Sequence, residues 1–140
     1  MRRRVRRSRN VFWVAVLLGL AIASRPARIM AAERDARMTY DDLVNLARDA
    51  GFGVEAARIA AAIAMAESGG NATAVGDEGT SFGLWQVNQP AHPEYDASLL
   101  LDPEYNARAA FSISQGGVDF EPWTTFRTGA YRRYMPGVSA

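Results

Sequence analysis

An apolar helical stretch that ends in a single carboxylate constrains the fold of this chain more than any other feature. Within residues 59–76 the only charged side chain is Glu67, and it closes a run of Ala, Ile and Met. A helix that is apolar on nearly every side belongs inside a domain. We therefore expect a buried central helix over residues 54–68, ended by Gly69 and Gly70.

The remaining sequence predicts a small, mainly α domain around this helix. The chain has 140 residues, an apolar content of 49% and no cysteine, so one packed core is feasible without disulfides or thiolate metal sites. Thr39 is expected to cap an earlier helix that ends at Gly51 or Gly53. The Asp102-Pro103 pair is expected to start a later helix that ends at Gly116-Gly117. The loop over residues 71–81, rich in Gly, Asn and Thr, favours short strands or irregular structure.

Charge is distributed unevenly along the chain. Six of the 16 arginines lie within residues 2–9, whereas residues 38–140 carry 6 arginines against 13 acids. Phosphate binding requires a basic face. An acidic domain therefore argues against a nucleic-acid partner.

The N-terminal segment has the pattern of an export signal. A basic stretch precedes the 13 apolar residues 11–23, whose last three residues are Ala-Ile-Ala. A membrane-spanning helix needs roughly 20 residues, so residues 1–23 are interpreted as a secretory signal or, alternatively, an N-terminal membrane anchor. Residues 24–37 are interpreted as a linker and residues 38–140 as the functional domain, which we expect outside the cytoplasm. Contact with a membrane is expected only through the N-terminal segment.

Glu67 is a candidate catalytic acid on physical grounds. A general acid that works near neutral pH needs a pKa of about 6–7, against roughly 4.3 for an unperturbed Glu. This difference corresponds to about 3 kcal/mol, and a helix C-terminus supplies only about 0.3–1 kcal/mol. Desolvation must therefore supply most of the free energy of this pKa shift. In the sequence, the nearest candidates for the apolar surroundings are Ala60, Ile63 and Ala64. The alternative is a Glu that points into solvent at a helix end.

Three short motifs carry a family resemblance: Glu67-Ser68, Gly83-Leu84-Trp85-Gln86 and Gly129-Ala130-Tyr131. Together they resemble the motifs of the lysozyme-like superfamily, in particular its lytic-transglycosylase domains. The resemblance covers about residues 39–134, and its Asp102-Pro103 helix is similar to a compact branch found in actinobacterial and phage proteins. It implies an α+β lysozyme-like fold and cleavage of the β-1,4 bond between N-acetylmuramic acid and N-acetylglucosamine in peptidoglycan.

The resemblance also implies roles for individual residues. Glu67 would protonate the glycosidic oxygen, and Gln86 would bind substrate or hold the site in shape. Gly83 would let the backbone approach the sugar, and Tyr131 would lie near the acid. The family pattern has Asn after this Tyr, whereas this chain has Arg132.

A second carboxylate would distinguish two reactions. Hydrolases of this type usually use two carboxylates, and Asp77 or Glu78 could reach the site; the alternative is that both lie in a solvated turn. A transglycosylase needs only Glu67, because the C6 hydroxyl of muramic acid attacks and leaves a 1,6-anhydro sugar. The sequence leaves this choice open.

The remaining candidates have alternative structural explanations. Trp85 either stacks on a sugar ring or packs in the core, Ser81 could contact substrate, and Asn106 is expected to brace the fold. His92 is the only histidine, and a single histidine makes a poor metal site. We therefore expect neither a metal ion nor a cofactor. We also expect a monomer whose binding partner is the peptidoglycan glycan strand. Two rival functions are a lysozyme-like module that binds glycan without cutting it and a component of a phage particle or secretion apparatus.

Overall fold

Two long helices form the centre of the domain. The computed structural model describes residues 37–137, so the expected signal or anchor and nearly all of the expected linker lie outside the described residues. Helix α1 spans Tyr40–Ala50 and α2 spans Val54–Ser68. The two helices pack against each other. The predicted bounds of the central helix are confirmed.

Local capping explains where α1 begins and ends. The Thr39 hydroxyl accepts a hydrogen bond from the Asp42 amide, and the Asp42 carboxylate accepts one from the Thr39 amide, which forms a capping box. Gly51 follows with a φ of 114°, a left-handed conformation that glycine adopts without steric cost. Leu43 and Ala47 on the inner face are fully buried.

Helix α2 is the buried centre that its composition predicts. Six of its residues from the second turn onward are buried, and Gly69 ends it in a left-handed conformation. The core cluster around α2 includes Leu43, Phe52, Ala57, Ala60, Ala61, Ile63, Ala64, Leu84, Trp85, Val87, Leu100, Ala107, Ala109, Ala110, Phe120 and Trp123.

A small antiparallel sheet follows α2. Strands β1 (Val75–Gly76), β2 (Ser81–Phe82) and β3 (Val87–Asn88) pair in the order β1-β2-β3. A 3-10 helix over Asp77–Gly79 connects β1 to β2. The expectation of short strands in this loop is confirmed.

The C-terminal part closes the domain against α1 and α2. Helix α3 spans Pro103–Ile113, starts at the Asp102 cap as predicted and packs against α1. The predicted end at Gly116-Gly117 is wrong by two residues, because Gln115 adopts a left-handed φ of 52° and the Gly116 amide donates to the Phe111 carbonyl, which ends the helix at Ile113. Helix α4 (Thr124–Arg127) and a 3-10 helix over Ala130–Tyr134 then pack against α2.

The described domain is therefore of the α+β class, with about half of its residues helical and one three-stranded antiparallel sheet. No helix among the described residues is long and apolar enough to cross a bilayer.

Candidate active site

Glu67 lies in the last turn of α2 and is partly exposed. Burial is the largest influence on this carboxyl group, and it raises the pKa of Glu67 above the usual range for Glu. The negative charge of Asp77 raises the pKa further, whereas hydrogen bonds from Thr125 lower it. The expectation that desolvation dominates is confirmed.

Thr125 is the residue that the sequence analysis missed. Its hydroxyl donates a hydrogen bond to Oε1 of Glu67 across 2.7 Å, although the two residues lie 58 positions apart. Thr125 belongs to α4, a four-residue helix that carries no recognisable motif. Its position between Trp123 and Phe126 is the only hint in the sequence.

Asp77 is exposed but held in place. The Ser81 hydroxyl donates to Oδ2 of Asp77 across 2.5 Å, and Ser81 is itself only 1% exposed. The Asn88 amide group lies behind Ser81 and donates to its hydroxyl at 3.3 Å. Ser81 therefore supports the loop from within, and its hydroxyl is not presented to a substrate.

Glu78 differs from Asp77 although it is the next residue. It is exposed and adopts a φ of 55°, in the left-handed region that most residues avoid. Asp77 also has a positive φ, of 48°. Of these two carboxylates, only Asp77 acts on the pKa of Glu67. The turn is therefore solvated, as the alternative interpretation held, but Asp77 is electrostatically coupled to the acid.

Gln86 braces the loop rather than standing free. Its side-chain amide donates to the carbonyls of Ala74 and Gly83, at 3.1 and 2.9 Å. A Cβ added to Gly76 would lie 2.3 Å from Oε1 of Gln86, so a larger residue in β1 would require the Gln86 side chain to shift. Of the two roles expected for Gln86, holding the site in shape is the one that these contacts support.

Trp85 lies in the core and is not available to stack on a sugar. It is 1% exposed, and its indole nitrogen donates to the Ala60 carbonyl at 2.9 Å. The indole nitrogen of Trp123 in turn donates to the Trp85 carbonyl at 2.8 Å. The Gly83-Leu84-Trp85-Gln86 motif is therefore hydrogen-bonded both to α2 and to the segment that leads into α4.

Gly83 makes a close approach, but to the protein interior. A Cβ on Gly83 would lie 2.2 Å from the Leu100 carbonyl oxygen and 2.4 Å from Nδ2 of Asn106. Asn106 is fully buried and accepts from the Trp85 amide while donating to the carbonyls of Phe82 and Leu100. These contacts explain the glycine by close packing inside the protein, so the role of Gly83 as a sugar contact stays a prediction, and the interpretation of Asn106 as a brace is confirmed.

Tyr131 lies on the 3-10 helix that packs against α2. Its ring stacks on Phe126 at a centroid distance of 5.1 Å. The guanidinium group of Arg132 lies 6.0 Å from the Tyr131 ring centre. Tyr131 is therefore adjacent to α4, the helix that brings Thr125 to the acid.

Two pockets lie away from Glu67. One, of about 170 Å³, lies between α1 and α3, and the other, of about 130 Å³, lies beside Gln86. His92 lines the second pocket and is 3.4 Å from the Glu94 carboxylate. Within residues 37–137, no group of three or more His, Asp or Glu side chains could hold a metal ion.

Comparison with known proteins identifies the family of this domain. A family model described as "Lysozyme like domain" matches residues 44–125, which is more than half of the chain and includes both Glu67 and Thr125. No curated protein and no solved structure matches. The resemblance to one compact branch stays a prediction. The matched family supports a general function on peptidoglycan, and the chain belongs to the lysozyme-like domain family.

Proposed function

We propose that this protein cleaves the β-1,4 bond between N-acetylmuramic acid and N-acetylglucosamine in peptidoglycan, with Glu67 as the general acid. The observation that carries the proposal is a partly buried carboxyl group at the end of an apolar helix, with its pKa raised by burial. A raised pKa keeps more of the acid protonated at the pH of catalysis. Its partial exposure leaves it accessible to a substrate.

A mechanism with one carboxylate needs nothing beyond Glu67. Protonated Glu67 donates its proton to the glycosidic oxygen, and the bond between that oxygen and C1 of muramic acid breaks. The resulting carboxylate then accepts the proton of the muramic acid C6 hydroxyl, which attacks C1 and closes a 1,6-anhydro ring. Glu67 returns to its protonated state, so no water is consumed.

Hydrolysis of the same bond is the second candidate, and Asp77 is the observation in its favour. The charge of Asp77 acts on Glu67, and the buried Ser81 hydroxyl fixes the Asp77 carboxylate. A second carboxylate placed in this way could activate water or stabilise positive charge at C1. Glu78 has no comparable support from its surroundings.

The neighbouring residues shape the site in this proposal. Gln86 holds the turn between Gly83 and β3, and Tyr131, which stacks on Phe126 next to Thr125, is assigned a position near the acid. The buried residues Trp85 and Ser81 support the shape of the site through their hydrogen bonds. The protein acts as a monomer on the glycan outside the cytoplasm, with residues 1–23 serving as its export signal or anchor, since the substrate lies there.

Two substitutions on the same helix test the role of Glu67. We expect Glu67→Gln to abolish clearing in a zymogram of purified peptidoglycan while the fold is retained, because the amide keeps the shape but carries no transferable proton. Glu55→Gln is the matched control, since Glu55 is exposed in the first turn of α2. Wild-type turnover in Glu67→Gln would refute the assignment.

Product analysis separates the reactions. Mass spectrometry of the released muropeptides gives 1,6-anhydro ends for the mechanism with one carboxylate and reducing ends for hydrolysis. Wild-type protein that binds sacculi without releasing products would instead establish a glycan-binding module and overturn the enzymatic proposal.

A further inference from the structure

The strongest unassigned feature of the site is the contact between Thr125 and Glu67. Among the residues that the structure describes, Thr125 is the one whose side chain donates a hydrogen bond to Glu67. This hydroxyl bond is made to Oε1 at 2.7 Å, and the Thr125 backbone has a smaller influence on the pKa of the same carboxyl group. The two oxygens of the carboxyl group are therefore not equivalent.

Thr125 lies on α4 between two aromatic side chains, the buried Trp123 and the partly buried Phe126. The preceding Trp123 is 6% exposed and is anchored to the Trp85 carbonyl through its indole nitrogen. The following Phe126 packs against Phe120 and Tyr131, at centroid distances of 5.7 and 5.1 Å. Anchors on both sides hold the intervening hydroxyl in position, as a precise catalytic geometry requires.

We propose that Thr125 is a positioning residue, whose hydroxyl holds Oε1 of Glu67 and leaves Oε2 as the oxygen that carries the proton to the substrate. This inference rests on the proposed function. The proton passes from Oε2 to the glycosidic oxygen, the bond from C1 to that oxygen breaks, and its electron pair stays with the leaving sugar as a hydroxyl. The carboxylate that forms then receives a charge-assisted hydrogen bond from Thr125, which is stronger than the bond to the neutral acid.

The effect of Thr125 on the pKa of Glu67 can be distinguished from the effects of the other titratable groups around Glu67. The loop after β1 supplies Asp77, whose charge raises the pKa of Glu67. The guanidinium group of Arg127 on α4 is engaged by the Glu121 carbonyl and the Thr124 hydroxyl. Other titratable groups on neighbouring segments do not contribute to the pKa shift of Glu67. They are Arg37 beside Gly69; Tyr40, Asp41, Asp42, Arg48 and Asp49 on or beside the surface of α1; and Tyr131, Arg132, Arg133 and Tyr134 on the 3-10 helix.

Three variants of the full chain test the proposal. Thr125→Val removes the hydroxyl with little change in shape, and Thr125→Ser keeps the hydroxyl. Thr128→Val is the matched control, because the Thr128 hydroxyl on the same segment donates to the Thr124 carbonyl instead of to Glu67. Circular dichroism confirms that each variant is folded before it is used.

The first readout is the titration of Glu67 followed by NMR of protein labelled with ¹³C at the glutamate carboxyl group. The Glu67 resonance is identified as the one missing from Glu67→Gln. We expect the pKa of Glu67 to rise in Thr125→Val, to return toward the wild-type value in Thr125→Ser and to stay unchanged in Thr128→Val. An unchanged pKa in Thr125→Val would overturn the inference.

The second readout is cleavage of purified peptidoglycan as a function of pH. We expect kcat to fall about 10-fold in Thr125→Val, with the alkaline limb of the profile moved to higher pH, and both effects to be reversed in Thr125→Ser. A Thr125→Ser variant as impaired as Thr125→Val would show that shape, and not the hydroxyl, matters. Wild-type protein that fails to cleave peptidoglycan would overturn the proposed function, while the NMR titration would still decide whether the hydrogen bond exists.

Discussion

Asn106 gives a sharp test of how the Gly-Leu-Trp-Gln turn is held in place. Its side chain is fully buried and makes three hydrogen bonds of 2.9 Å each, to the backbone of Phe82, Trp85 and Leu100. Asn106→Ala removes all three partners at once. The turn that Gln86 braces would then lose its link to α3.

The magnitude follows from the number of groups left unpaired. Each buried backbone group that loses its partner costs about 1–3 kcal/mol. Water that enters the vacated space replaces part of this loss, so we expect the free energy of unfolding to fall by about 3–5 kcal/mol. For a domain of this size each kcal/mol lowers the melting temperature by about 4–8 °C, so the melting temperature should fall by at least about 12 °C.

Urea unfolding followed by circular dichroism measures this loss directly. Asn45→Ala is the matched control, because Asn45 is exposed on α1 and its replacement should change stability by no more than about 0.5 kcal/mol. A loss of less than about 1 kcal/mol in Asn106→Ala would refute the reasoning, since it would mean that the three backbone groups find other partners at little cost.

Two further predictions concern the surroundings of the acid. The charge of Asp77 raises the pKa of Glu67, so Asp77→Asn should lower this pKa and move the alkaline limb of the pH–activity profile to lower pH; a limb that moves upward or stays in place would contradict the coupling. Gly83→Ala places a Cβ 2.2 Å from the Leu100 carbonyl oxygen at a φ of 78°, so it should destabilise the domain by at least about 2 kcal/mol in thermal unfolding. Gly79→Ala, also at positive φ but with no atom within 4 Å of the added Cβ, should cost less and serves as its control.

Much of the helical framework could be read from the sequence because its signals are local. Thr39 and Asp42 bond within one turn of α1, and Asp102 caps α3 through the amide of Tyr105. The apolar composition of α2 required burial wherever the helix lay. The end of α3 was less readable, since Gln115 and not a glycine takes the left-handed conformation that ends the helix.

The candidate site was only partly readable. The isolation of Glu67 in an apolar run was visible in the sequence, and so was the expectation that burial raises its pKa. The direction in which Trp85, Ser81 and Gly83 face was not. Each lies in a short turn or a two-residue strand, where no periodicity distinguishes an inner from an outer face.

The sequence by itself determined that this chain folds around one buried helix that ends in a carboxylate, because capping, glycine stops and apolar composition act over a few neighbouring residues. Only the tertiary structure decided what that carboxylate meets. Thr125 reaches Glu67 across 58 positions of chain, and Asp77 acts on it from a separate loop. Contacts of this kind depend on how helices and loops pack together, and that packing leaves no periodic pattern in the sequence.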